Sequence, residues 1–206
     1  GIALTIPVYA QSTAQSASPL GNKGAGKTET ALGDLVADSM RAMLRTDFAF
    51  VSASELKPKD PPIPAGAVSS SDIAALISYT DDPLAVLELT GKAIRQALEK
   101  AVSIHPQPNL GFLQVSGMKF SFDPSRNAGD RVISVLIGSA SVDDNRTYTV
   151  AVTNSMANGA LGYWKVWTND NVIRRIADAN IEKAVEKYFT SNPKIDYNNL
   201  DRITVK

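Results

Sequence analysis

Apolar residues recur at three- and four-residue spacing after Thr28. Ala31, Leu32, Leu35, Val36, Met40 and Met43 share one face, which predicts a helix opened by Thr28. Asp47–Ser52 (DFAFVS) reads as a buried strand, and the proline-rich KPKDPPIPAG at 57–66 as an irregular loop. Ser70 or Ser71 is placed to cap a short helix through Ile77, followed by a strand at Leu84–Leu89. Thr90 caps the next helix, whose buried stripe is Ile94, Ala97, Leu98, Ala101 and Val102.

From Phe112 the period changes to two. FLQVSG, MKFSFD, RVISVLIG and TYTVAVTN read as a run of mostly antiparallel strands. Asn180 caps a last helix at Ile181–Phe189, and Ile203–Val205 closes the chain as a strand. Helices and strands intermix without a βαβ repeat, so the expected class is α+β, with mixed sheets packed with helices.

The chain has 206 residues, enough for one domain with a sizeable core. Its 21 Lys+Arg balance 21 Asp+Glu, which leaves no basic footprint for nucleic acid. No apolar run is long enough for a membrane span. The absence of Cys excludes disulfides and thiolate chemistry, and a single His excludes any site built on two imidazoles. The opening GIALTIPVYA, ahead of a Ser/Gln/Ala stretch, resembles the end of a signal peptide and suggests a secreted or periplasmic protein. The other reading is a flexible N-terminal arm or a strand borrowed by a neighbour, with the arm covering residues 1–27 and the domain running from 28 to 206.

Gly21-x4-Gly26-Lys27-Thr28 has the spelling of a phosphate-binding loop, but no strand pattern precedes it; the alternative is a glycine-rich linker. Ser54-x-x-Lys57 fits an acyl-enzyme spelling that the prolines at 58, 61 and 62 break. His105 has no nucleophile elbow to serve and reads as a helix-end residue. Asp81-Asp82 and Asp143-Asp144 read as turns. Asn145-Arg-Thr147 spells a glycosylation acceptor. Trp164 and Trp167, in GYWKVW after the glycine-rich NGALG, are either ring-stacking or core aromatics.

Seven stretches in order, among them TETALGDLVADSMR (28–41), LAVLELTGKAIRQALEKAVS (84–103), FLQVSGMKFSFDPSR (112–126) and RTYTVAVTNSMANGALGY (146–163), resemble the C-terminal domain of the 5′-nucleotidase family. The resemblance implies a nucleoside-recognition domain. The family's two catalytic metal ions sit in an N-terminal metallophosphoesterase domain, so it implies no metal cofactor and no catalytic residue in this chain. The family's Asn/Ser-Gly-Gly-Ile-Arg loop aligns with Ala53–Lys57, replacing an arginine fork by Lys57. Its Pro-Phe-Gly-Asn block aligns with Tyr79, Thr80, Asp81 and Asp82, and its Gly-Gly-Asp-Gly-Tyr block with Gly159–Tyr163, where Leu161 replaces the Asp. Asn154, Gly162 and Tyr163 are retained. The resulting candidate ligand contacts are Lys57, Tyr79, Asp82, Asn154, Gly162, Tyr163 and Trp164. The expected function is a stand-alone domain with degenerate nucleotide recognition. The alternatives are an interaction module that docks a separate metallophosphoesterase or a surface partner, and an independent enzyme using His105 or Ser54.

Overall fold

The computed structural model describes residues 11–206. The signal-peptide reading of Gly1–Ala10 lies outside them. In chain order the elements begin with β1 (Thr13–Ser16), α1 (Ala31–Leu44), β2 (Phe48–Ser52), β3 (Gly66–Ser69), α2 (Ser70–Ala74), β4 (Pro83–Thr90) and α3 (Gly91–Ala101). Then come β5 (Leu113–Ser116), β6 (Lys119–Phe122), β7 (Val132–Ile137), β8 (Ala140–Ser141) and β9 (Thr147–Thr153). The last are α4 (Asn154–Ala157), β10 (Val172–Asn180), α5 (Ile181–Ser191), β11 (Lys194–Ile195) and β12 (Ile203–Val205).

The strands form three sheets, in the orders β11-β1-β3, β10-β4-β9-β2-β5 and β12-β6-β7-β8. The period-two stretches therefore do not form one antiparallel run. β5 and β9 flank β2 in the five-stranded sheet, with β9 parallel to it, while β6 and β7 build a separate sheet. Strand alternation divides the core between the two faces of the five-stranded sheet. Phe48, Phe50, Leu87, Val150 and Val152 pack on one side with the α3 stripe and with Phe120, Phe122 and Val135 of the four-stranded sheet. Ala49, Val51, Val86 and Ala151 pack on the other with Leu32, Leu35, Val36 and Met40 of α1 and with Val185 and Phe189 of α5. This double burial explains why β2 is apolar at nearly every position.

Helix ends follow local chemistry. Thr30, in extended conformation, caps α1 by accepting from Gly33 N at 3.1 Å, so the helix begins three residues after the expected Thr28. Ser69 caps α2, which stops at Ala74 rather than Ile77. Thr90 and Asn180 cap α3 and α5 as their side chains predict.

The segment expected as a flexible arm is folded from Thr13 onward. β1 pairs along its length with β3 and touches β11, and Leu20 is fully buried and exchanges backbone hydrogen bonds with Ile63. Polar composition hid it, because a strand between two others needs backbone partners more than apolar side chains.

The phosphate-loop spelling does not make a phosphate loop. The N–H groups of Lys27 and Thr28 both turn back to Gly24 O at 2.9 Å, so they cannot cradle an anion. Buried Gln114 on β5 bolts the turn in place: its Nε2 donates to Ala25 O and Thr28 O, and its Oε1 accepts from Thr30 N. Gly33 makes this approach feasible, since a Cβ there would sit 2.4 Å from Gln114 Cγ.

Candidate functional site

β2 and β9 run parallel side by side, and β4 and β5 run against them, so four connections meet at one end of the five-stranded sheet. These are the segments after β2 and β9 and those before β4 and β5. In α/β sheets the crevice beyond the carboxyl ends of parallel strands is a recurrent binding position. Residues 53–57, 78–82, 109–112 and 154–165 all converge there.

At its centre lies Glu55, which the sequence reading treated only as a substituted loop glycine. Its Oε2 accepts from Ser52 N at 2.6 Å and Ser52 Oγ at 3.1 Å, and its Oε1 accepts from the Thr153 hydroxyl, so it ties the ends of the two parallel strands together. The spelling Ser52-x-x-Glu55 is that of a capping box and was available as a signal. Burial pushes the Glu55 carboxyl up to about 7, against the lowering effect of these three hydrogen bonds; the Asp82 charge raises it further.

Around this centre the candidate contacts divide. Lys57 is exposed and donates through Nζ to Ala75 O at 3.2 Å. It borders a cavity of about 520 Å³ that also takes in Ser54, Ser78, Asn109 and Leu110. Tyr79 stands 61 % exposed beside Ser78. Asp82 accepts from Ser155 N at 3.3 Å, which joins the loop before β4 to the start of α4. Asn154 Oδ1 accepts from the Arg175 guanidinium, which also reaches Asn158 and Asn169.

The two tryptophans have opposite fates. Trp167 is buried, with Nε1 donating to Met156 O at 2.9 Å, and it stacks on Tyr163 at 4.7 Å. Trp164 is 63 % exposed, with Lys165 Nζ 5.3 Å from its ring. Tyr163, expected as a ligand contact, is fully buried: its hydroxyl donates to Gly111 O at 2.6 Å, Trp167 stacks on its ring, and Lys100 Nζ lies 5.3 Å from the ring centroid. As folded it fixes the loop and presents no open ring face. Gly162 adopts φ 80° against Lys100, where a Cβ would meet Nζ at 2.8 Å. Leu161, beside it, is a left-handed non-glycine residue at φ 56° and is exposed at the rim.

The independent-enzyme residues are not assembled. His105 lies edge-on to Phe122 at 5.0 Å with its Nδ1 buried and unpartnered, and burial, followed by the Arg131 charge, lowers its pKa. Among the described residues no hydroxyl or carboxylate hydrogen-bonds its ring, and no group of three or more His, Asp or Glu is placed to hold a metal ion. No described helix is long and apolar enough to cross a membrane.

Fold and site together define an α+β domain whose core is divided between the two faces of one five-stranded sheet. A family model described as 5′-nucleotidase, C-terminal domain, matches residues 8–168, and the chain belongs to that family. Among its relatives is the trifunctional nucleotide phosphoesterase protein of Bacillus subtilis, 28% identical over 144 residues that cover 66% of this chain and 10% of the relative. Human 5′-nucleotidase is 27% identical over 140 residues, covering 64% and 24%. A 5′-nucleotidase precursor from Thermus thermophilus superposes with a TM-score of 0.82 at 27% identity, over 95% of this chain and 39% of that one. The NAD nucleotidase of Haemophilus influenzae shares the fold, with a TM-score of 0.77 at 16% identity, over 94% and 38%. The chain thus spans from a tenth to two fifths of the length of these proteins.

Proposed function

We propose that the sheet-end crevice binds a nucleoside or nucleotide weakly through altered contacts, with Lys57, Tyr79, Asp82, Asn154 and Trp164 as its remaining reachable side chains. Phosphate ester hydrolysis then belongs to a metallophosphoesterase domain that these residues do not include. The observation that carries this reading is the convergence, at one sheet end, of the segments aligned with the family's recognition blocks, beside an open cavity of about 520 Å³. The altered chemistry argues for weak binding. A forked guanidinium is replaced by an ammonium, Thr80 stands where a ring would stack, and each lost polar or stacking contact removes about 1–3 kcal/mol.

Thermal unfolding against nucleosides and 5′-nucleotides, with and without Mn²⁺, tests it. Ligand at about 100 times Kd adds roughly 2.7 kcal/mol. A selective shift that needs no metal and disappears in Trp164→Ala supports the reading; unchanged melting across the panel at millimolar ligand overturns it.

The second reading, docking of a separate metallophosphoesterase, draws on the exposed apolar side chains Tyr79, Leu110, Leu161 and Trp164 at the same end. A nucleotide-independent complex with such a protein, lost in a Leu110→Glu variant, would favour it. Both readings are compatible with a secreted or periplasmic setting, which protease accessibility in intact cells would check.

A further inference from the structure

On the opposite side of the five-stranded sheet from Tyr163 and Trp167, the start of α1 meets the segment that leads into β12. Asp34 is fully buried there, and neither of its carboxyl oxygens meets an N–H or O–H donor. Glu29 Oε1, also buried, has no donor either, although its Oε2 accepts the backbone N–H groups of Arg202 and Ile203 at 2.8 Å each. The nearest cation, Arg202, is committed elsewhere: it forks onto Asp38 at 2.8 and 2.9 Å and passes Asp34 Oδ2 only through Nε, at 3.4 Å. Asp38 is further occupied by the Ser116 and Tyr197 hydroxyls.

Three orphaned carboxyl oxygens in one buried seam are costly if both acids are ionised, because one guanidinium cannot compensate three carboxylates. A single proton on Asp34, directed at the Glu29 carboxyl beside it, pairs Glu29 Oε1 and one Asp34 oxygen and leaves the other facing Arg202 Nε at 3.4 Å. A cavity of about 420 Å³ bordered by Glu29, Thr30, Tyr197 and Leu200 approaches the pair from the Glu29 side.

We propose that Asp34 carries a proton in the folded protein and donates it to Glu29 Oε1, and that this carboxyl–carboxylate pair is a proton-dependent latch holding the C-terminal strand to α1. β12 depends on such a latch because it is three residues long and, among the described residues, pairs with β6 alone. The proposal is independent of the nucleotide reading and uses no residue of that site.

Burial is the main cause that lifts Asp34, to about 9, with the Arg202 charge opposing it and Glu29 and Asp38 adding to it. The ionisable groups facing the pair are Asp38 of α1, Arg202 before β12, and Tyr197, which reaches Tyr188 of α5. Arg41 joins through Ser116 of β5, and the Lys119–Asp201 ion pair closes the flank. A carboxyl raised in the folded state binds more protons folded than unfolded between 3.8 and about 9. Its stabilising contribution is therefore complete at acid pH and is lost as pH climbs through the folded value.

The experiment is thermal unfolding of the native protein and of Asp34→Asn from pH 5 to 9.5, with carboxyl ¹³C NMR of the native protein at pH 7. The asparagine amide can donate to Glu29 but cannot ionise. The expected result is a native Tm that falls with pH more steeply than the variant's, a variant that melts higher at pH 9, and a protonated Asp34 resonance at pH 7. Amide exchange at Arg202 and Ile203 should lose protection at alkaline pH ahead of β2. Parallel melting curves overturn the proposal, and so does an ionised Asp34 resonance at pH 7, which decides the matter even if the variant fails to fold.

Discussion

Glu55 and Asp34 are both buried acids, one at the sheet-end crevice and one at the seam of α1 and β12, and they are treated in opposite ways. Glu55 accepts from a backbone N–H and two hydroxyls, and its carboxyl rises only to about 7. Asp34 accepts from nothing and rises to about 9. Burial pushes both in the same direction; donors aimed at the oxygens decide how far. The crevice is built to keep a carboxyl close to ionisation, whereas the seam is built to keep one neutral.

Removing the cation from the seam should have the largest effect. Arg202→Ala strips both fork bonds from Asp38 and should cost about 3–5 kcal/mol in chemical denaturation, the usual loss when one partner of a buried pair is deleted. A loss below about 1 kcal/mol would mean that the seam is solvated and the contrast with Glu55 is not one of burial.

Thr153→Val is the matching change at the crevice. It leaves Glu55 Oε1 without a donor and takes the cap from α4, for about 1–3 kcal/mol. The same denaturation series reads it.

Glu55→Gln sharpens the contrast through pH. The folded value of about 7 lies above the ordinary 4.5, so native stability relative to the variant should fall from about pH 4.5 to about pH 7 and level off beyond. The Asp34 window extends to about 9. Melting curves that place both breaks at the same pH would show that the two acids titrate as one system.

The smallest stability effect belongs to Trp164→Ala. With 63 % of its surface exposed, its loss should change stability by no more than about 0.5 kcal/mol, while abolishing any nucleoside-induced Tm shift. A large destabilisation would move Trp164 from the crevice rim to the core.

Much of the fold was legible because its signals are local. Thr90 and Asn180 announce their helices through side chains that reach their own N3 amides, and the α3 stripe repeats at the helical period. β1 was not legible: TAQS carries no apolar pattern, and its strand state comes from β3 and β11, some fifty and one hundred and eighty positions away in the chain. For the candidate site, the aligned blocks all fall at one end of the five-stranded sheet. Composition could not tell Trp164 from Trp167, or show that Tyr163 faces inward, because those outcomes depend on the distant carbonyl of Gly111, which takes the Tyr163 hydroxyl, and on that of Met156, which takes the Trp167 Nε1 proton.

Periodicity, capping and residue counts alone were enough for the α+β class, four of the five helices among the described residues, most of the strands and the absence of thiol or multi-imidazole chemistry; α4 at Asn154–Ala157 was not among them. The division of the strands among three sheets, the choice of which aromatic is reachable, and the use by Gln114 of the backbone of a phosphate-loop spelling all arise from long-range packing. So does the burial of Asp34 with neither oxygen accepting a hydrogen bond. These properties depend on what distant segments bring to a buried atom, and the desolvation of that atom is set by neighbours that its own stretch of chain does not contain.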